Sequence, residues 1–390
     1  MIMKYLQVRA KDPKIIEKGE NGGAVTAILK SLLDSKKVDG VLNISKGNNL
    51  YDGIPTYTTD SSKLIDTAGS LHCAPTMISD IIARYLKEEI IAVTTKPCDA
   101  MAIDEIIKRV GIDRDNVYMI GLNCGGTVRP AVAEEMIRLF YELDPEDIVS
   151  EEINKGKFIV ELKDGSEKSI KMDDLEDEGY GRRENCQRCE LKIPRKADIA
   201  CGNWGSSKGY TFVEINTPRG EELVQYAIDN EYIEVKKPSE KQLVIRSKIE
   251  QVMKKMAKRT QKKYLETEFT KEEKEDILNR CIKCFRCRDV CPVCNCVTCS
   301  MEKEEFKEHP SQKPDPLLMH GIRLGHMAFS CINCGQCDDA CPMEIPVSRL
   351  FQNVQLKYTK DTGYVSGVSE NKPPMYSGEK EKIIEGEQYG

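Results

Sequence analysis

The chain has 390 residues, an apolar fraction of 40%, a charged fraction of 31% and a net charge of −6. That length suggests two or three domains with real cores, and the acidic balance argues against a nucleic-acid coat. The start, MIMKYLQVRAKD, meets charge at Lys4, and no stretch approaches the roughly eighteen apolar residues of a membrane span, so a soluble cytoplasmic protein is expected.

Residues 1 to about 240 alternate strand-like and helix-like patterns. GVLNIS (40–45), IIAVTT (90–95) and VYMIGLN (117–123) are short apolar runs suited to buried strands. AVTAILKSLLDSKK (24–37) places Val25, Ile28, Leu29, Leu32 and Leu33 on one helical face. TMISDIIARYLK (76–87) does the same with Met77, Ile78, Ile81, Ile82 and Tyr85. This alternation predicts an α/β domain over 1–240 with a mostly parallel sheet. Residues 241–280 are charged, helix-favouring and poor in β-branched side chains, and they read as a helical connector. Residues 281–345 carry eleven of the seventeen cysteines. The end, 359–390, is polar and aperiodic, with Gly, Ser and Pro, and reads as a loose tail or an arm that wraps a partner.

Seventeen cysteines is an odd number, and the length and spacings argue against a secreted disulfide framework, so metal or cluster ligation is the better account. Cys281, Cys284, Cys287 and Cys291 precede Pro292, and Cys331, Cys334, Cys337 and Cys341 precede Pro342. Each set is C-x2-C-x2-C-x3-C-P, the bacterial ferredoxin run. Three cysteines at two-residue gaps wrap one cubane while intervening N–H groups point at its sulfurs, and the fourth leaves on a helix toward the other cluster. Cys281, Cys284, Cys287 and Cys341 are therefore expected to hold one [4Fe–4S] cluster, and Cys331, Cys334, Cys337 and Cys291 the other. Zinc also takes C-x2-C pairs, but it needs four ligands, and a duplicated eight-cysteine run ending twice in proline fits it poorly. The gap of forty positions from Cys291 to Cys331 is longer than in compact ferredoxins. It predicts a helical ferredoxin-like domain over 281–358, with helices such as 316–329 filling the gap. Cys294, Cys296 and Cys299 are extra: a substitute ligand, part of a further site shared with a partner, or free buried thiols. His320 and His326 read as packed polar residues rather than ligands.

The N-terminal domain holds weaker signals. Asn21-Gly22-Gly23-Ala24-Val25-Thr26 opens the first long helix, and a Gly-Gly helix start either lets backbone approach a phosphate or is simply a tight loop. Cys98 follows the strand run IIAVTT and Cys124 follows VYMIGLN, so both lie at carboxyl ends of strands, where open α/β sheets place their ligands. Cys186 and Cys189 add another C-x2-C. Four cysteines from three loops would hold one isolated cubane; otherwise Cys98 and Cys124 are ordinary buried thiols.

Taken in order, NGGAVTAIL, GSLHCAP, TTKPCDA, GLNCGGT, the Cys186–Cys189 pair and ADIACGNWG resemble the beta-subunit family of coenzyme F-420 (F420) hydrogenases and dehydrogenases. The resemblance covers about residues 1–240 and implies FAD, one [4Fe–4S] cluster and the deazaflavin F420 as substrate. It implies that Asn21, Gly22, Gly23 and Thr26 meet the FAD phosphates, that Ser70, His72, Thr95, Lys96 and Pro97 line the isoalloxazine, and that Cys98, Cys124, Cys186 and Cys189 hold the cluster. Cys201 and Asn203 depart from the run close to GDWG usual in the family, so Cys201 is an alternative ligand, and Cys73 is a similar uncertainty. The added two-cluster module, with CPVCNCVTC, resembles the members that serve formate oxidation in methanogenic archaea.

Iron–sulfur clusters pass single electrons, a deazaflavin takes a hydride, and a flavin converts between the two, so the parts are chemically coherent. Formate oxidation needs a pterin-bound molybdenum or tungsten, and it is expected on a separate alpha subunit. The alternatives are the same module serving a heterodisulfide reductase complex or a hydrogenase, and a flavin-free, polyferredoxin-like electron carrier. F420 bears an anionic tail, and GRRENCQRCELKIPRK (181–196) is basic through Arg182, Arg183, Arg188, Lys192, Arg195 and Lys196 against Glu184 and Glu190. It is either the tail-binding surface or a solvated basic face.

Overall fold

The three apolar runs become strands because they are short, rich in β-branched side chains and bounded by turns, and burial on both faces suits them. The computed structural model describes residues 3–266, 269–296, 299, 301 and 315–373. Strand β1 is Tyr5–Ala10, β2 Gly40–Lys46, β3 Gly53–Thr58, β4 Ile91–Thr95, β5 Val117–Leu122, β6 Ile148–Asn154, β7 Lys157–Leu162, β8 Glu167–Lys171, β9 Ile199–Gly202, β10 Thr211–Ile215 and β11 Ile233–Lys236. Eight of them form one sheet in the order β11-β1-β10-β9-β5-β4-β2-β3, and β6-β7-β8 form a second. The pairs β2–β4, β4–β5 and β5–β9 are parallel. The pairs β1–β10, β1–β11, β9–β10 and β2–β3 are antiparallel. The expected mostly parallel sheet is thus a parallel centre with antiparallel flanks. The short link between β2 and β3 makes a hairpin, which cannot join parallel neighbours.

The chain divides into two compact units. The first comprises Met1–Met77, Glu89–Ala100 and Asp115–Thr267; the second comprises Ile78–Glu88, Met101–Arg114 and Glu268–Gly390. In the first unit, the helix Ala24–Asp34 buries Ile28, Leu29, Leu32 and Leu33 in a core shared with Leu223 and Val224 of the helix Pro218–Asp229. A separate core under the three-stranded sheet gathers Phe158 and Val160 with Met136 and Cys73.

The stretch read as a connector is mostly a docked helix, Glu240–Glu266, belonging to the first unit. Its Arg246 is 4% exposed and donates to Glu214, 1% exposed, at 3.0 Å. Arg195 forks onto Glu250 at 2.6 and 2.8 Å. The apolar pattern is weak because charge pairing and Ala257 carry the packing instead. Removing one partner of a buried pair leaves an uncompensated charge. Glu214→Ala should therefore cost about 3–5 kcal/mol. The check is the fluorescence of Trp204, the sole tryptophan, against denaturant, with an earlier transition expected.

The second unit gathers the helices Lys271–Asn279, Pro316–Met327 and Val347–Thr362 together with the segments 78–88 and 101–114. The predicted helix over 76–87 is only Ser79–Tyr85; Ile78 and Ile82 are buried, but Tyr85 is 76% exposed. The tail expected to be loose from 359 is anchored at first. The helix runs to Thr362, and Tyr364 and the Gly367 N–H both donate to buried Glu105. The rest of that tail, 374–390, lies outside the described residues. Among the described residues no helix is long and apolar enough to cross a membrane.

Candidate redox site

In the first unit, β4 and β5 run side by side in parallel and release the chain at the same end of the sheet. Cys98 stands in the first turn of the helix Pro97–Val110, and Cys124 two residues beyond β5. The short helix Glu184–Gln187 and the loop after it bring Cys186 and Cys189 to them. Cys98 feels the charge of Cys124 and Cys189, and Cys124 that of Cys186, so the four predicted ligands are one electrostatic group. Backbone fixes it: the Cys124 N–H donates to the Lys192 carbonyl at 2.9 Å, and the Gly126 N–H donates to Cys124 Sγ at 3.4 Å. Burial pushes Cys98 well above the usual thiol range and Cys124 up to about 11. A bare thiolate is thus disfavoured here, and a cationic iron centre is what would deprotonate the set. Among the described residues no three or more His, Cys, Asp or Glu side chains gather closely enough for a single metal ion. A cubane spreads its four thiolates over four corners and asks for a wider ring than one zinc ion does.

Cys201 and Cys73 are not brought to this group. Cys201 is 1% exposed in the main core, where burial raises it to about 12. Cys73 is fully buried in the second core, its N–H donating to Glu151 at 2.9 Å.

The flavin residues split into two kinds. Gly22 is glycine for packing, since a Cβ there would meet the Val8 carbonyl at 2.6 Å and the Thr211 nitrogen at 2.8 Å. Gly23 has φ +68° and caps the helix, with no side-chain cap bond. Both glycines are thus explained without a phosphate, although the first N–H groups beside Asn21 and Thr26 suit one. The strand ends carry the better sign of a ligand. Thr95 Oγ1, Asp99 Oδ1, both amide atoms of Asn123 and His72 Nδ1 are buried with no partner. Orphaned buried polar atoms call for an unseen ligand or water. Lys96 donates to Asp99 at 2.7 Å and to the Thr76 carbonyl at 2.9 Å. Burial alone would lower its pKa, but Asp99, Cys98 and Cys124 outweigh that and hold it above the ordinary value. Pro97 is buried at the helix start and Ser70 is exposed. Asp99 and Asn123 escaped the sequence reading, although each is adjacent to a cysteine that was singled out.

The basic run is less open than its composition suggests. Arg182 is paired with Glu176 at 2.5 Å, Arg188 stacks 4.0 Å over Tyr264, and Arg195 serves Glu214 and Glu250. Arg183 and Lys192 are buried, and Lys196 is half-buried. Much of the charge therefore points inward, toward carboxylates and the Cys186 loop.

In the second unit, one cavity is lined by Cys281, Cys284, Cys287 and Cys341, with Phe285, Met319 and His320. Another is lined by Cys291, Cys331, Cys334 and Cys337, with Arg323, Met327 and Phe351. Each cavity thus combines three cysteines of one run with the last cysteine of the other. The loops repeat in backbone too. Lys283 (φ 57°) and Phe285 (φ 62°) flank Cys284, as Asn333 (φ 55°) and Gly335 (φ 75°) flank Cys334. Left-handed backbone costs a non-glycine residue roughly 1–2 kcal/mol, so its recurrence marks loops shaped by a common demand. The Lys283 N–H donates to Cys281 Sγ and the Ile345 N–H to Cys341 Sγ, both at 3.4 Å. Soft sulfur donors, two of which at the first cavity accept from backbone N–H groups, fit a cubane.

One face of the helix Pro316–Met327 serves both cavities, with His320 at the first, Met327 at the second, and Arg323 between them in sequence. Burial and Arg323 lower His320 to about 4, so the ring is neutral. Arg323 escaped the sequence reading; the available signal was a lone Arg at helical spacing among buried residues. Neither cavity is lined by Cys294, Cys296 or Cys299. The Cys294 thiol donates to Cys296, which holds Cys296 low and Cys294 high. Cys299 packs with Phe285 and Met319.

Family models match three stretches in succession. The N-terminal and C-terminal models of "Coenzyme F420 hydrogenase/dehydrogenase, beta subunit" match residues 5–83 and 88–241, and "4Fe-4S dicluster domain" matches 277–345. The chain is 55% identical over 379 residues to F420-dependent formate dehydrogenase subunit beta of Methanocaldococcus jannaschii, covering 97% of this chain and 100% of that one. It is 56% identical over 376 residues to F420-dependent formate dehydrogenase 1 subunit beta of Methanococcus maripaludis, covering 95% and 97%. Its fold is similar to that of a chain in the F420-reducing [NiFe] hydrogenase complex from Methanosarcina barkeri, with TM-score 0.58 and 20% identity over 68% of this chain and 91% of that one. The chain belongs to the coenzyme F420 hydrogenase/dehydrogenase beta-subunit family, with formate dehydrogenase beta subunits as full-length relatives, and is an oxidoreductase subunit with a 4Fe–4S dicluster domain.

Proposed function

We propose that this chain takes electrons from a formate-oxidising alpha subunit that holds a molybdenum- or tungsten-pterin, carries them on three [4Fe–4S] clusters, and delivers them through FAD to F420 as hydride, reversibly. The observation that supports it most is the crossed cysteine set around each cavity of the second unit. Cys98, Cys124, Cys186 and Cys189 are the ligands of the third cluster. When bound, FAD supplies the conversion between single electrons and a hydride.

The residues of the chain have separable tasks in this reading. The helix start at 21–26 offers N–H groups to phosphate. Thr95, Asn123 and His72 offer unpaired polar atoms to the ring system. Lys96 holds an ammonium there, kept charged by Asp99. The test is anaerobic purification of the chain with its partner, followed by flavin analysis and F420 reduction on adding formate. Clusters without flavin, and no F420 reduction even with dithionite, would leave the plain electron carrier as the better reading.

The F420 tail is assigned to the basic run through Arg182, Arg183 and Lys196. Arg182 is tied to Glu176, so reversing its charge would disturb the fold as well as the site. Lys196→Gln is the milder probe, since it removes a charge without reversing it. It should raise KM for F420 a few-fold, more at low salt than at high salt, with kcat nearly unchanged. An unchanged KM at low salt would remove Lys196 from the tail site.

A further inference from the structure

We infer that Arg323 is a shared cation that raises the potentials of both C-terminal clusters, a positioning residue for electron transfer. The inference rests on the cluster assignment proposed above. Arg323 is 3% exposed, and its Nη1 donates to Cys287 Sγ while its Nη2 donates to the Cys287 carbonyl, both at 2.9 Å. Cys287 lines the first cavity, whereas Arg323 itself lines the second, with Cys291, Cys331, Cys334 and Cys337. Its guanidinium lies 5.3 Å from the Phe351 ring centre, and its Nε is buried with no partner. Among the described residues no carboxylate pairs with it.

A buried cation without a carboxylate is costly unless some other anion compensates it. A cubane with four thiolates is such an anion, and it becomes more negative by one charge on reduction. A guanidinium nearby therefore stabilises the reduced form more than the oxidised form and raises the potential. A hydrogen bond to a ligand sulfur acts in the same direction. One side chain bonded to a sulfur at the first cavity and lining the second serves both clusters. Arginine does not titrate in proteins, so this effect is independent of pH.

The experiment is a potentiometric titration of the full chain under anaerobic conditions, followed by electron paramagnetic resonance, for the wild type, Arg323→Gln and Arg323→Lys. Iron analysis of each comes first. In Arg323→Gln both C-terminal midpoints should fall, that of the Cys287 cluster further, while the N-terminal cluster stays in place as an internal reference. In Arg323→Lys the charge remains but the fork is lost, so the Cys287 cluster should still shift down and the other should return near its wild-type midpoint. Intact clusters with unchanged midpoints in Arg323→Gln overturn the proposal, and so does a shift confined to one cluster. If Arg323→Gln loses iron, Arg323→Lys decides: an unshifted Cys287 cluster overturns the proposal. If the wild type itself lacks the two C-terminal clusters, the cluster assignment fails instead.

Discussion

Replacing Cys341 with serine should remove the cluster held mainly by Cys281, Cys284 and Cys287 and leave that of Cys331, Cys334 and Cys337 intact. In sequence Cys341 belongs to the second run, so a reading by proximity expects the opposite result. In space it lines the first cavity, where the Ile345 N–H donates to its sulfur at 3.4 Å. A hydroxyl is a harder and far less acidic ligand than a thiol, and it binds a soft iron–sulfide centre poorly. Removing even outer-shell support of a metal site typically costs 10–100-fold, so formate-driven F420 reduction should fall on the order of 100-fold or more. Iron should drop from about twelve to about eight per chain, at four per cubane. Cys291→Ser should affect the other cluster. Paramagnetic resonance on the two variants separates them, and an altered Cys331 cluster in Cys341→Ser would show that the ligands are not crossed.

The second large effect is expected from Cys124→Ser. Cys124 stands where β5 releases the chain, its N–H is held by the Lys192 carbonyl, and the exchange of sulfur for oxygen changes little volume. The fold should persist while the N-terminal cluster is lost. Formate-driven reduction of F420 should fall on the order of 100-fold, because single electrons no longer reach the flavin. Reduction driven by dithionite, which can reach the flavin directly, should stay near wild type. Flavin content should be retained and iron should fall by about four per chain. Cys186→Ser should behave in the same way. Full iron with undiminished formate activity in both variants would mean that these cysteines hold no cluster.

Motif and fold were legible to different depths. The buried strands at 40–45, 90–95 and 117–123 and the helix from Ala24 follow from local apolar patterns, which neighbours in sequence suffice to set. The flanks β1, β9, β10 and β11 were not read. Three of them lie beyond residue 198, two of these, β10 and β11, pair with β1 at the start of the chain, and pairing over that separation leaves little local trace. The helix Glu240–Glu266 looked like a free connector because its docking uses Arg246 and Glu250, whose partners Glu214 and Arg195 lie well before it in sequence. Gly22 and Gly23 looked like a phosphate loop; the packing of Gly22 against β1 and β10 supplies a structural cause that only the assembled sheet reveals.

By itself the sequence determined the family resemblance, the two ferredoxin runs and the strand-end positions of Cys98 and Cys124. All of these reside in spacing along a short stretch of chain, and spacing survives whatever the rest of the molecule does. Only the tertiary structure decided that Cys73 and Cys201 face hydrophobic cores, that Arg182 and Arg195 turn to internal carboxylates, and that Arg323 meets Cys287. Whether a thiol or a cation is buried, paired or left facing a cavity depends on side chains far away in sequence. The free energy that governs its chemistry comes from those neighbours and from the water they exclude.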